Sequence, residues 1–116
     1  MHSETLKATD AYSAVGATAP RVSLGDMEGK IARHHYFTAD QAVCAADGSV
    51  SYPGDPLGFL TVCILVMQNG FTVIGKSAPA SPENFDAEKG KRFAYEDAIK
   101  QLWPLEGYAL RERLAA

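Results

Sequence analysis

The side chains best suited to chemistry lie between His34 and Cys44 and around Cys63. His34, His35, Asp40 and Cys44 are all metal-ligating types, but adjacent side chains point apart and no HxxxH or CxxC spacing gathers them. Their plainer reading is a solvated helix end, and no metal is expected. Cys63 faces Lys76 in the strand pairing predicted below, and an ammonium group lowers a thiol pKa where the thiol is open to solvent. On a covered strand the same thiol is inert, which is the expectation here. No GxSxG, Walker loop or HExxH occurs. Glu88, Glu96 and Asp97 fall on the predicted solvent side of a helix, where carboxylates serve solubility. No catalytic residue and no cofactor is therefore assigned, and an enzyme is not expected.

Binding chemistry has more to work with. Lys89, Lys91, Arg92 and Lys100, followed by Arg111 and Arg113, would make a basic strip, but Glu88, Glu96, Asp97 and Glu112 interleave with it. The net charge of −3 also argues against a general attraction to nucleic acid. Phe93 falls outside the apolar arc of its helix, among Lys89, Glu96, Asp97 and Lys100, and Trp103 falls off the same stripe. Large aromatics on a charged face are what protein interfaces are enriched in. Phe93, Trp103, Lys89 and Lys100 are thus the candidate protein interface. The alternative is that the amino-terminal or final helix folds over the aromatics.

The central element that must position these groups is Leu60 to Ser77, two apolar runs joined by Asn69-Gly70. Asn-Gly favours a two-residue type I′ turn, because both central positions need positive φ. That turn predicts a hairpin in which Val66 pairs with Val73 and Ile64 with Gly75 on one face. Leu65 pairs with Ile74, and Cys63 with Lys76, on the other. Both faces are largely apolar, so both should be covered. A long helix covers one. Cys63, Leu65, Met67 and Ile74 are left as a candidate dimer face unless the Ser23 to Arg33 helix, with its stripe of Leu24, Met27 and Ile31, lies over them. That intramolecular cover is preferred to a second copy.

Around the hairpin the chain reads as one small domain. Residues 1–21 lack a sustained apolar period and are expected to be a flexible arm, leaving 22–116 as the domain. Thr38-Ala39-Asp40-Gln41 has capping-box spacing and should start a short helical turn through Val43. Two prolines and two glycines within Tyr52 to Pro56 and the preceding Gly48 mark residues 46–56 as loop. The long helix should begin near Phe85 or Asp86 and end at Leu102, with Glu96 and Lys100 as an i, i+4 pair. Ala87, Gly90, Ala94 and Ala98 make its packed face small enough to lie close on a sheet. Pro104 should stop it, and Leu105 to Leu114 should form a short last helix. The predicted fold class is therefore α+β: amino-terminal helix, two-stranded antiparallel hairpin, long helix packed on the hairpin, short carboxy-terminal helix. With 47% hydrophobic and 22% charged residues the chain is ordinary for a soluble domain. Cys44 and Cys63 without CxxC spacing, and an amino terminus with no apolar core, predict a reducing, cytoplasmic setting without membrane contact.

Two stretches carry a resemblance. LTVCILVMQNGFTVIGKSA and SPENFDAEKGKRFAYEDAIKQLWPLEGYALRERL, with IARHHYFTA more loosely, resemble an uncharacterised bacteriophage family often called the phage gene-product-49/66 family. The features that match are the NGFTV turn, the ENFDAE start of the helix and the WPLEGY-LRERL ending. Residues 41–58 look lengthened against the family pattern, and the first twenty residues lie outside it. The resemblance implies a phage or prophage origin and no particular activity. Small size, the missing catalytic set and this resemblance together lead to an accessory protein that binds a host protein. Its concrete form would be inhibition of a host defence system, as anti-CRISPR proteins do, or of a host enzyme. The rival readings are a nucleic-acid-binding accessory of phage replication and a small enzyme.

Overall fold

The computed structural model of the chain describes residues 3–116. Its centre is β2 (Thr61–Met67), flanked by β1 (Ile31–Thr38) and β3 (Thr72–Ser77) in an antiparallel sheet of order β1-β2-β3. Buried and half-buried residues alternate along β2, the period-two mark of a strand packed on one face only. The domain is mixed α+β as expected, but three strands stand where two were predicted. The added strand is IARHHYFT. Ile31 was read as the end of a helical stripe, yet the helix it belonged to, α2 (Leu24–Gly29), spans six residues. Gly25 and Gly29 make that helix too weak to run on, whereas Ile31, Tyr36 and Phe37 suit a strand.

The hairpin is present with a different turn. Gly70 alone takes positive φ, at 89°, and among the described residues no non-glycine does so. Type I′ needs two such residues, so Asn69 cannot be its first centre. Instead Gly70 N–H donates to Met67 O at 2.9 Å and Met67 N–H donates to Phe71 O at 2.8 Å. These bonds close a three-residue loop, Gln68-Asn69-Gly70, with glycine at the left-handed bulge position. Asn69 Oδ1 steadies it by accepting from Phe71 N–H at 3.0 Å. The extra loop residue slides β3 by one, so that Cys63 pairs with Gly75, Ile64 with Ile74 and Leu65 with Val73. A one-residue slip reverses every side chain of a strand. Ile74 and Lys76 therefore leave the face of Cys63, and Val73 and Gly75 join it.

Over that inner face lies α4 (Ala87–Ala115), begun by Asp86, whose Oδ1 accepts from Lys89 N–H at 3.0 Å. Ala94, Ala98, Ile99 and Leu102 meet Cys63, Leu65, Met67 and Val73 in the core. Small residues set the distance: a Cβ added to Gly75 would stand 2.0 Å from Ala94 O. The helix does not stop at Pro104, which sits inside it. Pro104 is exposed, so the Lys100 carbonyl that loses its N–H partner is on the solvent side, where water can serve it. The predicted short last helix is thus the end of α4.

The amino-terminal stretch expected as an arm contains α1 (Glu4–Ala14). Ser3 caps it through a hydrogen bond from Leu6 N–H and donates its own hydroxyl to Glu96 Oε2 of α4 at 2.7 Å. Leu6 enters the core, and Asp10 accepts from Leu24 N–H and from Arg21, both at 2.9 Å. Helix α3 (Ala39–Asp47) begins at the expected capping box, where Thr38 N–H donates to Gln41 Oε1 at 3.0 Å. It runs on past Val43 to end at Gly48, whose φ is 75°. The Cα extents of 53 × 28 × 17 Å fit two layers, a sheet and the helices on one side of it.

Candidate functional site

The reactive side chains that do converge lie in the core. Tyr36 stands opposite Cys63 on the inner face of the sheet, and Tyr95 of α4 donates its hydroxyl to Glu28 of α2. Burial pushes both tyrosines and the Cys63 thiol above their ordinary ranges. A thiol held protonated is a poor nucleophile. Lys76, expected to face that thiol across the hairpin, points to the opposite face after the register slip, and Cys63 is buried as expected of an inert thiol. Glu96, expected in solvent and paired with Lys100, is only 7% exposed and takes the Ser3 hydroxyl instead. Tyr36 Oη and Arg92 Nε are buried without a hydrogen-bond partner. This cluster ties β1, β2, α2 and α4 together, and Tyr36 also lines a cleft of about 300 Å³ with Phe37, Gln41, Phe85 and Lys91.

The metal-ligating side chains His34, His35, Asp40 and Cys44 form no cluster among the described residues. His34 and His35 project from opposite faces of β1; His34 packs edge-on to Tyr36, with ring centroids 5.4 Å apart. Arg33 Nη1 lies 2.7 Å from His35 Nε2. A guanidinium only donates, so Nε2 accepts and the ring proton sits on Nδ1. Asp40 accepts from Thr38 and Ser51 hydroxyls at the start of α3, which hold its carboxyl below the usual range.

The residues named for a protein interface fall in two places. Phe93 is 53% exposed and, with Lys89, Phe59 and Phe85, lines a cleft of about 150 Å³ at the start of α4. Lys100 is exposed on the same helix, whereas Trp103 is half-buried against the core. The candidate dimer face comes apart. Cys63, Leu65 and Met67 are buried under the chain's own helices, while Ile74 is 58% exposed on the other side of the sheet.

What takes the place of that face is the sheet's outer surface. The register sets three rows across it: Arg33, Val66, Thr72; then His35, Ile64, Ile74; then Phe37, Val62, Lys76. Its middle is aliphatic, and among the described residues its cations, Arg33 and Lys76, form no ion pair with a carboxylate. Two expectations kept this surface from view in the sequence: a helix running from Ser23 to Arg33, which took in the first residues of β1, and a register that set Ile74 beside Leu65. The signal available in IARHHYFT was its residue types, since Ile31, Tyr36, Phe37 and Thr38 suit a strand. No helix among the described residues is long and apolar enough to cross a membrane.

The sequence model of a phage protein family, that of N4 Gp49 and phage Sf6 gene 66, matches residues 22–114. The resemblance carried by the NGFTV turn and the WPLEGY-LRERL ending is borne out. No curated protein and no solved structure matches the chain.

Proposed function

The chain belongs to the phage protein (N4 Gp49/phage Sf6 gene 66) family, and from that premise we propose that it is an accessory protein acting by binding a host protein through the outer face of its sheet. One observation carries this reading: on the outer face Ile74 is exposed and Val62, Ile64, Val66 and Phe37 are half-buried beside it, an apolar surface left partly open to solvent. Soluble proteins rarely leave a contiguous apolar patch bare unless something binds there. The aromatic patch of Phe93 with Lys89 and Lys100 is a second contact region on the same molecule. Inhibition of a host defence system, or of a host enzyme, is the form such binding would take. The chain works in the host cell cytoplasm on this reading.

A nucleic-acid-binding accessory fits the same surface less well. Sheets that bind single strands stack bases on aromatic side chains of their central strands, and here the central strand offers Val62, Ile64 and Val66. The two readings part in one experiment. Tagged protein recovered from infected host cells should bring down a defined protein, and Ile74→Asp should abolish that capture while leaving the melting temperature near the parent's. Retention of the same partner by Ile74→Asp would overturn the outer-face reading. Salt-sensitive DNA retardation without protein capture would favour the rival.

A further inference from the structure

The two edges of the sheet are treated differently. Along the free edge of β3, Lys76 N–H donates to Asp97 Oδ2 at 3.0 Å and Ile74 O accepts from Gln101 Nε2 at 2.8 Å. Asp97 and Gln101 are one turn apart on α4, so the long helix fills the hydrogen-bonding groups of that edge with its own side chains. Such covering is how proteins keep an edge strand from pairing with another chain. Among the described residues no side chain bonds the outward backbone groups of His34 and Tyr36 in β1.

The pairing of β1 with β2 decides which of its backbone groups are open. Ala39 N–H donates to Leu60 O at 2.9 Å, and the register runs from there without a break to Arg33 opposite Val66. In an antiparallel ladder alternate residues turn their N–H and C=O to the same neighbour. Phe37, His35 and Arg33 therefore bond β2, and Tyr36 and His34 turn their backbone groups outward. The open stretch is bounded. Gln41 Oε1 takes the Thr38 N–H at one end, and the register irregularity between Ile31 and Arg33 bends the strand at the other.

Charge says what belongs there. Arg33 is exposed on β1, Lys76 lies across the outer face, and among the described residues neither side chain is paired with a carboxylate. The strand Ile31–Thr38 holds no acid, so its one charge is opposite in sign to the net −3 of the chain. A second copy docking edge to edge would bring no carboxylate, since Ile31–Thr38 holds none, and would leave Arg33 without a counter-charge. Resting on the reading that the chain binds a protein, we propose that the open edge of β1 receives an extended acidic segment of the partner, added as a fourth strand. Backbone pairing with His34 and Tyr36 gives the affinity, and carboxylates beside Arg33 and His35 give the preference.

The test uses the full chain and a short labelled peptide alternating glutamate with valine, against a counterpart alternating lysine with valine. The acidic peptide should bind about tenfold more tightly, lose affinity as salt rises, and slow amide exchange at His34 and Tyr36 while leaving Lys76 unchanged. His34→Pro removes only an outward N–H, so the strand should keep its bonds to β2 and the protein its melting temperature within a few degrees, while peptide binding is lost. Equal binding of both peptides, or binding that leaves the His34 and Tyr36 amides exchanging as before, overturns the proposal. Partner capture from infected cells separates the two readings. Capture lost in Ile74→Asp but kept in His34→Pro removes the edge and leaves the outer face standing, and capture kept in both removes both.

Discussion

Gly75 is the residue on which the contact between sheet and helix turns. A methyl group there would meet Ala94 O at 2.0 Å and Ala98 N at 2.6 Å, and backbone atoms cannot swing aside as a side chain can. Gly75→Ala should cost about 3 kcal/mol or more in denaturant unfolding, at or beyond the upper end of ordinary overpacking. A midpoint near the parent's would mean that α4 does not lie on β3 in this way. Asp10 offers a test by pH. Its hydrogen bonds from Arg21 and Leu24 N–H hold the carboxyl below its ordinary value. A lowered folded-state pKa stabilises above the unfolded value and loses that stabilisation as pH falls through the folded one. The melting temperature of Asp10→Asn should therefore fall short of the parent's at pH 7 and converge with it towards pH 2; a constant gap would contradict the assignment. The sequence disclosed the small residues of α4, and Ala94 and Ala98 lie fully buried as predicted. It did not disclose Gly75, because opposite the wrong partner a glycine looks like a weak point in a strand.

Helix α4 shows how local rules are outvoted. Pro104 removes a hydrogen bond and crowds the preceding turn, at about 3 kcal/mol in a helix interior. That is reason to end a helix, and the sequence was read that way. Beyond it, however, Glu106 accepts from Lys30 Nζ at 2.6 Å, and Leu110 and Arg113 border α2, so contacts with another element carry the helix past its break. If so, Pro104→Ala should raise stability by about 1 to 3 kcal/mol and increase helical ellipticity slightly; no gain would place the break in a turn that alanine cannot repair. The hairpin shows the same lesson in another form. Asn69-Gly70 announced a turn at the right place, but only the loop length decides the register, and one residue more put Ile74 outside. Strand β1 was illegible because its inner residues include His34 and its outer ones Phe37, so polar and apolar side chains do not sort cleanly by face.

The molecule is two layers thick, and the helices occupy only the inner side of the sheet. Helix α1 lies outside the family match, which begins at residue 22, yet Leu6 is 3% exposed and the Ser3 hydroxyl donates to the buried Glu96. Helix α1 thus packs on a core drawn mostly from the residues that the family model matches. Burying Leu6 is worth about 1.5 to 3 kcal/mol, and a hydrogen bond to a charged group about 1.5 to 3 more. Ordering the residues of α1 offsets much of that, since each fixed backbone costs about 1 to 2 kcal/mol and local helix bonds return only part. Removing residues 2–20 should therefore leave a folded domain that is less stable by roughly 1 to 3 kcal/mol, because sheet, α2 and α4 remain. The second half of the test lies in Glu96. In the full chain Glu96→Gln weakens a bond to Ser3 and should destabilise. In the shortened chain the carboxylate has lost that donor, so the same change should be neutral or stabilising, and the difference measures the coupling directly. A shortened chain that melts with the parent, or an equal effect of Glu96→Gln in both, would mean that α1 is carried by the domain without holding it.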